Sequence, residues 1–331
     1  MTEAPQETLD LSKEDRRLAN IEMLQKMGVL IALVILCFVF SMLAGDRFFT
    51  LQNFFIVARQ VSFYYICGVG MTFIMITGNI DLAVGSYIAL SGIFAAKLLE
   101  WGVEWYLVLV ASMIALGLVQ CLVGLAVAKQ RLPSFIVTLA MMSAARGASL
   151  AWSSGIPVPV KPDKEVFRML GTGYLGPIPW PVIIAFIVMV IGQFVLRKTK
   201  FGRYVYAVGG NEQAAVTSGL NVTLVKVGVF AIAGMLTALV GCLMAARLFS
   251  GNPTTGQGFE LEVIAAVVIG GTSMTGGYGG MVGTLIGAFT VGVIANGLTI
   301  LGVDYSVQFI VKGAIIYLAV WIDTKTKTIV R

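Results

Sequence analysis

The sequence predicts an all-α, polytopic membrane protein with about ten transmembrane helices, some of them short or broken. Of its 331 residues, 58% are hydrophobic and only 12% are charged, against about 45–50% and about 25% in a soluble domain. The mean hydropathy is +0.90. The apolar residues fall into about ten stretches, most of them near the roughly 20 residues that cross a bilayer core. A cytosolic enzyme is therefore excluded.

The predicted spans form one transmembrane domain over residues 27–323, surrounded by membrane lipid. We place the spans at residues 28–44, 61–77, 82–98, 105–128, 134–152, 181–196, 227–245, 259–271, 280–302 and 306–322. The eighth is too short to cross a bilayer unaided. Residues 1–26 are predicted to form a cytoplasmic tail with an interfacial helix, and residues 324–331 a second cytoplasmic tail.

The positive charges predict the orientation. With ten spans, the Lys and Arg residues near 129–131, 197–203 and 325–331 all fall on the side of the N-terminus. The positive-inside rule makes that side cytoplasmic, so both termini are expected there. The net charge of +6 is then a property of the loops, and we expect no nucleic-acid partner.

The residue types that carry most metal and acid–base chemistry are scarce. The chain contains no histidine, which excludes His-ligated metals and imidazole bases. Each of the four cysteines lies in an apolar run, without the paired short spacing of a zinc or redox motif. We therefore predict no metal site, no cofactor held by this chain and no catalytic residue.

Two loops are longer than a helix connection requires. Residues 153–180 are expected to face outward and hold five prolines, which stiffen an extended segment. This loop is either a passive lid or a docking surface. Residues 197–226 are expected to face the cytoplasm.

The cytoplasmic loop contains the signals of a short helix. Asn211 suits the N-cap, Glu212 the first turn and Gly219 the left-handed position after the helix. Such a helix, held outside the membrane, suits a mechanical contact with another protein. An ordinary connecting helix is an equally good interpretation of the spacing.

Glycine is frequent, with 38 residues, and is concentrated between residues 270 and 288. Gly279, Gly283 and Gly287 are four residues apart, on one face of a predicted helix, where small residues let helices approach closely in lipid. Helix packing is favoured over a direct ligand role. No Gly-Lys-Ser/Thr follows, so this chain is not expected to hydrolyse ATP.

Two breaks, at residues 77–81 and near residue 270, interrupt long apolar runs. Irregular backbone at membrane depth marks a transport pathway, because it persists there only beside protein or water. Asp81 either caps the third span or lines the path. The candidates for the translocation path or gate are Asn79, Asp81, Arg146, Asn296 and Lys312.

Five motifs together resemble those of one family, the permease subunits of ribose-type ATP-binding-cassette (ABC) importers of monosaccharides. They are TGNIDLAVGSYIALSG at 77–92, PSFIVTL at 133–139 with Arg146-Gly147, TKFGRYVYAVGGNEQAAVTSGL at 199–220, VIGGTSMTGGYGGMVGTLIGA at 268–288 and QFIVKGAII at 308–316. The resemblance covers residues 50–323. The family more often has Gly-Gly before Ile-Asp, where this chain has Gly78-Asn79.

The resemblance implies the ribose-type ABC permease fold, paired with a second permease copy as a homodimer in the bacterial inner membrane. It further implies two ATPase subunits, which bind ATP and Mg, and a periplasmic or extracellular sugar-binding protein. In this family the segment at 211–219 is the coupling helix that contacts the ATPase. The residues carried over to that contact are Asn211, Glu212, Ala214, Ala215, Ser218 and Gly219.

The function expected from this resemblance is import of a monosaccharide or related polyol by alternating access. An ion-coupled secondary transporter is the main alternative, since it also uses broken helices. It requires intramembrane carboxylates or histidines, and Asp81 is the only acid well within the apolar stretches. A membrane enzyme acting on lipid-linked sugars has less support, because no loop holds paired catalytic carboxylates.

Overall fold

The computed structural model describes residues 27–304, 306–315 and 317. Within them lie α1 Met27–Arg47, α2 Leu51–Ile76, α3 Val84–Glu100, α4 Trp105–Lys129, α5 Ser134–Ser153, α6 Glu165–Thr172, α7 Trp180–Lys198, α8 Lys200–Gly210, α9 Glu212–Thr217, α10 Val222–Leu248, α11 Phe259–Ile269, α12 Met281–Ile300 and α13 Ser306–Ile315. The predicted interfacial helix, the C-terminal tail and the end of the last span lie outside the described residues.

The predicted all-α membrane fold is confirmed. Among the described residues, seven helices are long and apolar enough to cross a membrane, namely α1, α2, α4, α5, α7, α10 and α12. The other three predicted spans correspond to shorter helices. They are α3 with 17 residues, α11 with 11 and the described part of α13.

Two helices extend beyond the apolar runs that predicted them. The predicted span at 61–77 lies in α2, which begins ten residues earlier, where the Thr50 hydroxyl accepts a hydrogen bond from Asn53 N at 3.1 Å. The span at 227–245 lies in α10, where the Asn221 side chain accepts from Leu224 N at 3.0 Å. Both helices start at side-chain caps, which hydropathy does not register.

The core is built around α2 and α10. Helix α2 packs against α7, α10, α11 and α12, while α10 also packs against α3 and α4. Phe63, Tyr65, Ile74 and Phe230 are fully buried between these helices. By contrast, α1, α5 and α7 keep large apolar side chains exposed, as in Phe38 at 64%, which suits contact with lipid rather than water.

The segment at 153–180 is folded onto the ends of the helices. Its β1, Val158–Pro159, pairs antiparallel with β4, Ser250–Gly251, at the end of α10. Strands β2, Tyr174–Leu175, and β3, Ile178–Pro179, form a hairpin. Phe167 of α6 is fully buried, so this segment is anchored to the bundle by its own side chains.

Candidate functional site

The segment at 211–219 folds as the sequence predicts locally. The Asn211 side chain accepts a hydrogen bond from Ala214 N at 2.9 Å, so it caps α9. At the other end Ser218 N donates to the Ala214 carbonyl at 3.0 Å, and Gly219 takes φ +80°. That backbone conformation favours glycine, which explains the residue type after the helix.

The six residues of this segment that the resemblance assigns to the ATPase contact differ in exposure. Asn211, Glu212, Ala214, Ser218 and Gly219 are exposed, whereas Ala215 is buried. The Ala215 side chain packs into the protein core, because α9 lies with one face on the bundle. Val216, which was not among the predicted contact residues, is 51% exposed on the same helix.

A side-chain ion pair joins α9 to α10. Lys226 Nζ lies 2.8 Å and 2.9 Å from the two carboxylate oxygens of Glu212. The Lys226 side chain is only 9% exposed, while that of Glu212 is 52% exposed. This contact links the short surface helix to a helix that runs through the core.

The end of α8 contacts both helix breaks. Gly277 N, in the break before α12, donates to the carbonyl of Ile76, at the end of α2, at 2.8 Å. Gly209 of α8 lies against both groups, and a Cβ placed on it would overlap the Ile76 oxygen and lie 2.6 Å from Gly277 N. We call Ile76, Gly209 and Gly277 the glycine junction. Gly209 lies two residues before Asn211, the N-cap of α9.

Asp81 lies in the break between α2 and α3 and is fully buried. One carboxylate oxygen accepts from Ala83 N at 2.8 Å, just before α3 begins, and the other accepts from Gln120 Nε2 of α4. The Asn79 amide donates to the carbonyl and hydroxyl of Thr77 at 3.0 Å. Both polar residues therefore stabilise the irregular backbone of the break. Gln120 was not among the predicted path residues, although a polar side chain within an apolar run indicates a functional position.

Arg146 and Asn296 also take part in local contacts. Arg146 of α5 donates to the carbonyls of Pro253 and Thr255, the latter at 3.1 Å, and so holds the segment that precedes α11. Asn296 of α12 exchanges hydrogen bonds with Asn53 of α2, at 2.9 Å and 3.1 Å. In these contacts Asn296 joins two helices, and its side chain is buried.

Lys312 lies in a polar cavity. Its ammonium group pairs with the Glu262 carboxylate of α11. A cavity of about 420 Å³ opens beside the pair. We call it the Lys312 cavity, and it is lined by Gln60, Tyr64, Gly256, Gln257, Gly258, Phe259, Glu262, Ala295, Thr299, Gln308, Phe309 and Lys312. The sequence showed Glu262 only as an acid at the start of a short apolar helix.

The three predicted packing glycines do not share one helix. Gly283 and Gly287 of α12 lie against α11, where a Cβ on either would overlap a backbone carbonyl, that of Gly270 or Ala266 respectively. Gly279 precedes α12, which begins at Met281, and lies instead against the side chain of Thr272. The predicted face of three glycines was wrong at Gly279, because this residue lies in the irregular segment before the helix.

The fold and these contacts define a polytopic α-helical membrane protein with broken helices inside the bundle and a capped helix on its surface. Residues 53–320 match the family described as branched-chain amino acid transport system / permease component. The chain belongs to this permease family. No solved structure matches it.

Several curated relatives are sugar permeases. The chain is 41% identical over 318 residues to the ribose import permease protein RbsC of Bacillus subtilis, covering 96% of this chain and 98% of the relative. It is 43% identical to RbsC of Escherichia coli K12, covering 94% and 97%. The xylose transport system permease protein XylH of Haemophilus influenzae is 35% identical, covering 92% and 97%. The resemblance to ribose-type sugar ABC permeases is confirmed.

Proposed function

We propose that this chain is the permease subunit of an ATP-driven importer of a monosaccharide or related polyol. It pairs with a second copy in the bacterial inner membrane, with both termini in the cytoplasm. Separate ATPase subunits bind ATP and Mg, and an external binding protein delivers the sugar. The relatives named for ribose and xylose transport support this substrate class.

The observation that carries the proposal is the position of α9. It is exposed on one side, joined to α10 by the Glu212–Lys226 pair and separated by one residue from the end of α8. Through the glycine junction, α8 touches the ends of both helix breaks. A displacement of α9 by an ATPase therefore has a short, packed route to the breaks.

In this mechanism the chain moves but performs no chemistry. ATP-driven closure of two ATPase subunits displaces α8 and α9 on each permease copy. Because packed helices have discrete arrangements, the displacement shifts the breaks between outward-open and inward-open states. The folded segment at 153–180 supplies the docking surface for the binding protein.

Uptake by defined components tests this function. Proteoliposomes containing the permease, the ATPase subunits and the binding protein are expected to accumulate labelled ribose, xylose or arabinose only when ATP is present. Uptake by the permease alone, driven by an ion gradient, would instead establish the secondary-transporter alternative. The two results require the same vesicles and differ only in the components added.

A substitution on α9 tests the contact with the ATPase. Val216→Arg places a large charge on an exposed helix position, and we expect it to abolish ATPase association while the permease remains folded. Val166→Arg is a matched control, since Val166 is equally exposed at 51% but lies on α6. Normal ATPase binding by Val216→Arg, measured by co-purification, would remove α9 from the interface.

A further inference from the structure

The Lys312 cavity has the dimensions and position of a ligand site. It lies between the middle of α2, the first turns of α11 and α13 and the last turns of α12. Tyr64 of the lining lies 12 residues before Ile76 on α2, so about three helical turns separate the cavity from the glycine junction. Its volume of about 420 Å³ is within the range of about 300–1,000 Å³ of small-molecule sites.

The polar groups of the cavity match a polyol. Lys312 offers only donors, Glu262 as a carboxylate offers only acceptors, and the amides of Gln60, Gln257 and Gln308 offer both. Each hydroxyl of a sugar both donates and accepts, so one molecule can use all three kinds of group. Because the cavity's carboxylate is paired with its ammonium group, neither charge selects an ionic solute.

Aromatic rings form the apolar part of the lining. The rings of Tyr64 and Phe259 pack with their centroids 5.0 Å apart, and Tyr64 OH accepts a hydrogen bond from Gln60 Nε2 at 2.8 Å. The Lys312 ammonium lies 5.5 Å from the centroid of the Phe309 ring. A monosaccharide has an apolar C–H face as well as its hydroxyls, and this lining offers surfaces for both.

The ion pair lines a second, smaller cavity as well. A second cavity, of about 20 Å³, shares Glu262, Ala295 and Lys312 with the first. Its remaining lining is apolar, formed by Ala265, Val291, Ile294 and Ile315. That volume holds about one water molecule, so a sugar that enters the Lys312 cavity stops at the pair.

We propose that the Lys312 cavity is a weak binding site for an uncharged monosaccharide in transit, with the Lys312–Glu262 pair as its floor. This inference rests on the proposed function, since it takes the transported solute to be a sugar. Gln60 and the ion pair contact the hydroxyls, and the rings of Phe259 and Phe309 face the C–H groups. Passage beyond the site requires the pair to separate or move.

Thiol protection tests this site on the chain alone. In the Thr299→Cys variant the new thiol lines the cavity, and its reaction with a maleimide is followed on the purified chain in nanodiscs, relative to the parent protein. Labelled ribose, xylose and arabinose serve as probes. At about ten times the dissociation constant, mass action predicts about tenfold slower labelling. Thr254→Cys is the matched control, on an exposed threonine outside the lining, and is expected to react equally with or without sugar.

A second substitution assigns the protection to the cavity. Gln60→Leu in the Thr299→Cys background is expected to weaken protection about threefold to tenfold, the worth of one or two hydrogen bonds. Gln52→Leu, at an exposed position of the same helix, is expected to leave it unchanged. Absence of protection by all three sugars, or equal protection with Gln60→Leu, would overturn the site.

The result of this experiment is independent of the result of the uptake experiment that tests the proposed function. Protection needs neither ATP nor partner subunits, whereas uptake needs both. ATP-driven uptake without protection would retain the importer and remove this site. Protection in a chain that never supports ATP-driven uptake would retain the site and refute the importer.

Discussion

Gly209 lies where three segments of the chain meet. No side chain fits there, because a Cβ would overlap the carbonyl oxygen of Ile76. The next residue, Gly210, has nothing within 4 Å of the position its Cβ would take. Two adjacent glycines of the same helix therefore differ fully in the space around them, which the sequence does not reveal.

Alanine substitutions at the two glycines should separate these roles. Gly209→Ala forces α8 away from the glycine junction and should destabilise the protein by about 1–3 kcal/mol, as overpacking does. Gly210→Ala should change stability by less than about 0.5 kcal/mol. Thermal unfolding in detergent measures both, and we expect ATP-driven uptake to fall only with Gly209→Ala. Equal effects of the two substitutions would contradict the close contact.

At the scale of an element, the stability of α9 depends on its contacts with the rest of the chain. A helix of six residues is too short to be stable alone in water. It is held by the Asn211 cap, the Glu212–Lys226 pair and the burial of Ala215. These contacts keep its other face exposed in a fixed orientation.

Removal of the cap should release α9 locally. Asn211→Ala loses the bond to Ala214 N and should cost about 1 kcal/mol, seen as faster amide hydrogen exchange within 212–217 alone. Asn211→Asp keeps a capping oxygen and should restore protection. If Asn211→Ala left exchange in α9 unchanged, the cap would not be what holds this helix.

At the scale of the whole molecule, the proposal requires α9 and α6 on opposite sides of the membrane. Val216→Cys and Val166→Cys place thiols at equally exposed positions, each 51% exposed in the native residue. In intact cells an impermeant maleimide should label only the Val166→Cys variant, and both variants after the membrane is opened. Labelling of Val216→Cys in intact cells would place α9 on the outer side of the membrane and overturn the proposed orientation.

The sequence predicted the helices better than it predicted the contacts of the candidate site. Apolar runs located most helices, since hydropathy reports directly on burial in lipid. The sequence also predicted the residues at the two ends of α9, Asn211 as its N-cap and Gly219 in the left-handed conformation after it. The start of α2 was missed, because its first ten residues include Gln52, Asn53, Arg59 and Gln60, which lower the local hydropathy.

The candidate path residues could be selected from the sequence but not given their partners. Asp81, Arg146 and Asn296 were chosen because polar groups are rare in spans, and each proved to contact a segment distant along the chain. Glu262, which pairs with Lys312, is 50 residues away. Such pairings depend on which helices are neighbours, and periodicity within one helix carries no information on that.

The sequence by itself determined the class of protein, the capped helix at 211–219 and the two helix breaks, because each follows from hydropathy or from local backbone preference. Only the tertiary structure decided that α8 meets both breaks at Gly209, that Ala215 is buried and that Lys312 and Glu262 pair in a polar cavity. These are contacts between segments far apart in the chain, and they are set by packing of the whole bundle.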